Sequence, residues 1–129
     1  MTIAVLLVED VIQLRGVVSD LLASVGDFTI VGEVGTEAEA KLWLEENRGR
    51  WNLAVIDLIL EQGTGMGVIA KCKEEPGTKV VVFSDYATPG IQKHCLQLGA
   101  DAVFQKSTDV PAFITWCSAL LPRPTERPS

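Results

Sequence analysis

The chain has 129 residues, the length of one domain, and 47% of them are apolar, enough for a core without disulfide or metal staples and enough to exclude intrinsic disorder. Seventeen acidic residues against eleven basic ones give a net charge of −6, which argues against a phosphate-backbone binder and removes nucleic acid from the expected partners. Cys72, Cys95 and Cys117 fit neither a disulfide framework nor a zinc spacing, and are expected to be reduced and half buried. The first apolar run stops at Glu9 and Asp10 with no basic segment before it, so it is neither signal peptide nor membrane span; a cytoplasmic protein without membrane contact is expected.

Ile3 to Val8 (IAVLLV) is an unbroken β-branched run, the pattern of a strand buried on both faces. Val11, Leu14, Val18, Leu21 and Val25 then keep one face at helical spacing, and Gly26 closes the segment. Phe28 to Val34 reads as a second strand of the same kind. Thr36 to Asn47 opens with Thr36 and Glu39 in capping-box spacing ahead of Leu42 and Trp43. Leu53 to Ile56 is the third strand, and the third helix should start near Thr64 and end before Pro76. Lys79 to Phe83 is the fourth strand, followed by a helix from about Pro89 to Leu98 capped by Gly99, and by a short strand at Ala102 to Phe104. The last helix runs from about Asp109 to Leu121 with Phe113, Trp116, Cys117 and Leu120 on one face. Pro122, Pro124 and Pro128 forbid another helix, so one domain over 1–121 and a proline-rich flexible tail over 122–129 are expected.

Five strands alternating with five helices imply right-handed crossovers and a parallel sheet covered on both faces. Ligands of such sheets bind beyond the carboxyl ends of the strands. There this chain is polar: Glu9 and Asp10 follow the first strand, Asp57 the third, Ser84 the fourth and Lys106 the fifth. Three converging carboxylates repel one another unless a cation offsets them, and Mg²⁺, which takes carboxylate, water and phosphate oxygens, suits Glu9, Asp10 and Asp57. Lys106 supplies a mobile point charge for a phosphoryl oxygen and Ser84 a hydroxyl donor. These are parts for phosphoryl transfer, yet neither a GxxxxGKS/T nor a GxGxxG loop is present, so the donor is expected to be another macromolecule or a small phosphodonor, not bound ATP. Alone, Asp57 and Ser84 would read as turn residues and Lys106 as a solvated lysine; their joint placement reverses that reading. His94, in mid-helix beside Cys95, reads as a surface or boundary residue, and Trp43, Trp51 and Trp116 as packing.

The pair Glu9-Asp10, Asp57 in VIDLILEQGTG, Ser84 in VVVFSDYA and Lys106 in GADAVFQKS together resemble the receiver domain of two-component response regulators, over about residues 3 to 121. The resemblance implies an α/β fold: a flavodoxin-like, doubly wound five-stranded parallel sheet of order 2-1-3-4-5, flanked by five helices. It implies that Asp57 is the phosphoacceptor, charged by a histidine kinase or phosphotransfer protein. Asp10, Asp57 and the backbone carbonyl of Ile59 would ligate Mg²⁺, with Glu9 acting through water. Lys106 would neutralise a phosphoryl oxygen, Ser84 would bind the phosphoryl group and draw its loop inward, and Gly65 would turn the loop after the acceptor. Such a protein is a switch and not an enzyme, catalysing only its own phosphorylation and dephosphorylation.

The chain departs from the family pattern at three places. Glu61 stands where a proline is usual, and Asp85 where a small residue is common. Val103 takes the place of the switch aromatic, with Phe104 beside it as a substitute. Ile59 and Tyr86 fill positions that are polar in fast-dephosphorylating members, which implies a long-lived phosphoryl group. Output is expected through a separate downstream effector protein docking on residues of about 86–98 and 102–120, with Lys93, His94, Gln97 and Gln105 as polar contacts and Tyr86 and Phe104 as apolar anchors. Kinase docking would use the first helix. Two alternatives stay open, a phosphate sink and a degenerate receiver that binds partners independently of phosphorylation. A flavin-binding protein is disfavoured by the acidic Glu9-Asp10 loop, and a metal-dependent phosphatase by the lack of length for a substrate cap.

Overall fold

Strand β1 (Ile3–Val8) lies inside the sheet, where both its faces are apolar and both its edges find partners. A computed structural model describes residues 2–122, in which β1 is followed by α1 (Ile12–Val25), β2 (Phe28–Val34), α2 (Glu37–Glu46), β3 (Leu53–Ile56) and α3 (Gly65–Cys72). Then come β4 (Lys79–Phe83), α4 (Pro89–Leu98), β5 (Ala102–Phe104) and α5 (Val110–Ser118). All strand pairs are parallel and the order is β2-β1-β3-β4-β5, the doubly wound, flavodoxin-like arrangement expected. Of the tail expected over 122–129, residues 123–129 lie outside the described residues. No helix among the described residues is long and apolar enough to cross a membrane.

The two-residue period of the strands divides the interior into two layers. Leu6, Val8, Ala54, Ile56, Val80 and Val82 face the helices on one side, where they meet Ala40 and Leu44 of α2, Val68, Ile69 and Cys72 of α3 and Cys95 of α4. Val5, Leu7, Leu53, Val55, Val81 and Phe83 face the other side and pack on Val18 and Leu22 of α1 and Phe113 and Cys117 of α5. Each such aliphatic side chain gains roughly 1.5–3 kcal/mol by leaving water, which is why β1, β3 and β4 tolerate almost no polar residue. Trp51 is buried in the first layer, while Trp43 packs partly against that layer and Trp116 against the second, so the tryptophans act as packing.

Several local expectations need correction. Strand β2 is an edge strand, and its residues alternate between exposed and half-buried up to Val34 where a doubly buried run was expected. Its pairing with β1 shifts between Val5 and Leu6, leaving Val31 unpaired, and Gly32 then sits where a Cβ would come within 2.5 Å of the Trp43 indole. In α1 the fully buried residues are Val18 and Leu22, and Val11, at the cap, is exposed. In α2 the buried pair is Ala40 and Leu44, one helical turn apart, which turns Leu42 outward. All three cysteines are completely buried, and burial pushes the Cys72 and Cys117 thiols up to about 12. Helix α5 stops at Ser118, short of Leu121, and the chain closes with Leu121 packed on Gly26, where a Cβ would lie 2.3 Å from its Cδ1. A side chain at Gly26 would displace the tip of Leu121, whereas Gly99, with φ +115°, makes a left-handed cap on α4.

Candidate functional site

A parallel sheet ends all its strands at one edge, and the ladder bonds there fix the residue after each strand. Asp57 N–H donates to the Val8 carbonyl at 2.9 Å, Glu9 N–H to Val34 at 2.9 Å and Ser84 N–H to Phe104 at 3.0 Å. Glu9, Asp10, Asp57, Ser84 and Lys106 are thereby gathered beyond β1, β3, β4 and β5. Each of Glu9, Asp10 and Asp57 has a carboxylate oxygen within 4.8 Å of the others. Glu9 is almost completely buried, and Asp57 is 9% exposed.

Lys106 answers part of this charge. Its ammonium donates to Glu9 Oε1 and, at 2.9 Å, to Asp57 Oδ2. Burial raises the Glu9 carboxyl above its ordinary range, and the Lys106 contact only partly opposes it. For Lys106 burial works to lower the ammonium, but its bonds to Glu9 and Asp57 outweigh that and hold it above its ordinary range. Three carboxylates less one ammonium leave two negative charges, the complement of a divalent cation. The donors are all hard oxygens, so the residues present fit Mg²⁺.

The remaining groups orient the cleft. Ile59 N–H donates to Asp57 Oδ1 at 3.2 Å, and Ile59 pairs with Thr64 in an isolated antiparallel bridge that folds the acceptor loop back on itself. Gly65 lies so close to this turn that a Cβ would stand 2.2 Å from the Asp57 carbonyl, which explains the glycine without a positive φ. Ser84 is fully buried and its hydroxyl accepts from Tyr86 N–H at 3.2 Å, leaving its own proton free to donate. Asp85, the additional acid of this edge, is occupied: its Oδ1 accepts from Ser107 N–H at 2.9 Å and so fastens the chain just after Lys106. The cleft holds about 280 Å³, with Asp10, Asp57, Ser84 and Lys106 on its polar side and Val11, Leu14, Ile59 and Tyr86 as an apolar rim.

Phe104 does not substitute for an aromatic at Val103. Consecutive strand residues point to opposite faces, so Val103 faces the α4 layer while Phe104 faces α5, edge-on to Phe113 with ring centroids 6.1 Å apart and tilted against Trp116 at 6.5 Å. Half-buried there, it shows less apolar surface than Tyr86 and Leu96, each about half exposed, and Leu96 was not singled out from the sequence. Sequence reasoning also missed Arg15, whose Nε donates to the Glu9 carbonyl at 2.7 Å. Its place in the first turn of α1, five residues after Asp10 and six after Glu9, was the available signal. Gln92 and Gln105 were missed as a pair: both donate side-chain N–H to the Ala87 carbonyl, at 2.9 and 3.0 Å, tying the loop after Ser84 to α4 and β5.

Comparison with known proteins gives a consistent answer. A family model described as "Response regulator receiver domain" matches residues 5–116. The photosynthetic apparatus regulatory protein RegA of Rhodovulum sulfidophilum is 34% identical over 79 residues, which are 58% of this chain and 43% of that protein, so the match spans less than half of the relative's length. The crystal structure of the response regulator domain of Thermotoga maritima CheB superposes with a TM-score of 0.77 at 20% identity, covering 95% of this chain and 100% of that one. A chain of the CheX-CheY-BeF3-Mg+2 complex from Borrelia burgdorferi superposes with a TM-score of 0.82 at 17% identity, covering 94% of this chain and 90% of that one. At these identities the structural likeness speaks for the fold.

Proposed function

This chain belongs to the response regulator receiver domain family, and on that premise we propose that it is a phosphorylation switch whose acceptor is Asp57. The observation that carries this reading is the cluster of Glu9, Asp10 and Asp57 with a single ammonium, Lys106, bridging two of its members. An Asp57 carboxylate oxygen attacks the phosphorus of a phosphohistidine on a kinase or phosphotransfer protein. The new O–P bond forms as the P–N bond breaks, and the departing imidazole keeps its electron pair and takes a proton from solvent. Asp10, Asp57 and the Ile59 carbonyl would hold Mg²⁺, with Glu9 acting through water, and the ion would supply charge neutralisation for the phosphoryl oxygens. Lys106 exchanges one of its carboxylates for a phosphoryl oxygen. The Ser84 proton turns to the same group, and because Ala87 is tied to Gln92 and Gln105, a shift at Ser84 is passed to α4 and β5.

At the rim the apolar Val11 and Ile59 side chains and the Tyr86 ring shield the phosphoryl site, which favours a long-lived acyl phosphate. The kinase docks on α1, where Ile12 and Val17 are exposed, and a separate effector docks on residues of about 86–98 and 102–120, where Tyr86, Leu96, Lys93, His94 and Gln97 are at the surface. On this reading residues 1–121 form the receiver and the protein works in the cytoplasm. The phosphate-sink and phosphorylation-independent alternatives have no observation in their favour.

The test is labelling with acetyl phosphate and Mg²⁺, read by intact mass. Wild-type protein should gain one phosphoryl adduct that EDTA prevents and Asp57→Asn lacks. An equal adduct on Asp57→Asn overturns the assignment.

A further inference from the structure

The loop that carries Asp57 and Ile59 is braced from outside the cleft. A groove of about 320 Å³ runs between this loop and the start of α2, and Glu37 spans it. Glu37 N–H donates to the Gln62 carbonyl at 3.1 Å, and its Oε1 accepts from Thr64 N–H at 2.8 Å. Its other oxygen, Oε2, is paired with Lys41 Nζ at 2.7 Å. The approach is so close that neighbouring positions must be bare: a Cβ at Gly63 would stand 2.4 Å from Glu37 Cβ, and one at Gly67 2.2 Å from Oε2. Gly63 additionally has φ +79°, a conformation that favours glycine. Thr64, the residue Glu37 holds, is the one that pairs with Ile59 across the loop.

We propose that Glu37 is a positioning residue for the acceptor loop: by holding Thr64 it steadies the turn that Gly65 N–H closes on the Leu58 carbonyl at 3.1 Å, in which Ile59 lies opposite Thr64, and so presents the Ile59 carbonyl to the cation site. Bonds from Lys41 and Thr64 hold the Glu37 carboxyl below its ordinary range, so it accepts as a full anion at neutral pH. The side chain is 25% exposed, sheltered enough for a charge-assisted bond to act and open enough for the brace to loosen locally. The functional part of this inference rests on the Mg²⁺ reading above, whereas the brace itself is measurable without metal.

The full chain and its Glu37→Ala and Glu37→Gln variants are compared by metal-free amide exchange and by calorimetric Mg²⁺ titration. Glu37→Ala should speed exchange over residues 58–64, relative to β1 and β4, by about tenfold, the loss of one charge-assisted bond. It should weaken Mg²⁺ binding by about tenfold, as losing an outer support of a metal ligand does. Glu37→Gln keeps an acceptor for Thr64 N–H and should recover most of both. In labelling with acetyl phosphate the Mg²⁺ requirement should rise while the rate at saturating Mg²⁺ holds. Exchange over 58–64 that is unchanged in Glu37→Ala overturns the brace, and loosened exchange with unchanged Mg²⁺ affinity overturns its role in positioning. Wild-type protein that binds no Mg²⁺ would instead refute the metal reading, while the exchange result would still decide the brace.

Discussion

The two edges of the sheet use polar side chains in opposite ways. At the amino edge they meet backbone groups nearly one to one. Asn52 Oδ1 accepts from Ala4 N–H at 2.8 Å while the Asn52 backbone N–H donates to the Ala4 carbonyl at 2.8 Å. Asp101 Oδ2 accepts from Val80 N–H at 2.8 Å, with Lys73 and Lys79 at 3.5 and 4.0 Å from its carboxylate oxygens. At the carboxyl edge three acids gather beside one lysine, which pairs with only two of them, and two of the best buried polar groups of the molecule, Glu9 and Ser84, lie within a few residues of an open cleft. Polarity at the first edge closes a structure; at the second it leaves charge uncompensated, which is the condition for binding something that brings its own.

The sharpest way to break this contrast is Lys106→Ala. It leaves the buried Glu9 carboxyl without its ammonium and should cost on the order of 3 kcal/mol in metal-free urea unfolding, with part recovered on adding Mg²⁺. A variant as stable as wild type without metal would mean that the carboxyl edge is not charge-frustrated. The interior provides a control for both edges through its thiols. Cys72 and Cys117 are pushed from 9.0 up to about 12, so above pH 9 the unfolded chain sheds protons that the folded chain keeps, and stability falls as pH rises from 9 towards 12. Each thiol contributes a slope of about 1.4 kcal/mol per pH unit inside that window. The doubly substituted Cys72→Ala, Cys117→Ala chain should be less stable at neutral pH yet show a shallower alkaline slope in the same unfolding series.

At the amino edge, Asn52→Ala should cost about 1–2 kcal/mol for the Ala4 N–H left unpaired, while leaving labelling and Mg²⁺ affinity as they are. If it impaired labelling as much as Lys106→Ala, the two edges would not be separable in function. The smallest effect is expected at the rim: Ile59→Asn introduces a polar group that can hold a water and should shorten the half-life of the acyl phosphate about three- to tenfold. Decay that is rapid in wild type and unchanged in Ile59→Asn would remove the shielding role of the rim.

How much of this is legible in the sequence depends on the range of the interactions involved. The five strands lie at the bounds expected of them because short apolar runs between turn signals mark them, and α4 does because Pro89 and Gly99 mark its ends locally. The gathering of Glu9, Asp10, Asp57, Ser84 and Lys106 comes from topology, since parallel strands deliver their next residues to one edge. The features that escape the sequence depend on distant partners. The packing of Leu121 beside Gly26 joins residues far apart in the chain, and the side taken by Phe104 is set by pairing with β4. The bond from Glu37 reaches a residue 27 positions away, so no local pattern announces it. The Phe104 parity is in principle countable, because it pairs with Phe83, whose face is fixed by the alternation along β4.

The outer strands bear on a different hazard. An exposed strand edge invites another chain to extend the sheet, which is how folded domains begin to aggregate. Here β5 has three residues, too few to template a stable addition, and β2 is interrupted where Val31 bulges out of register with β1. A bulge twists and breaks the row of free backbone groups that an incoming strand would need. In a domain that exposes apolar side chains such as Ile12, Tyr86 and Leu96, these breaks make backbone pairing between copies harder, and a substitution that straightened β2 at Val31 would threaten solubility before it touched the cleft.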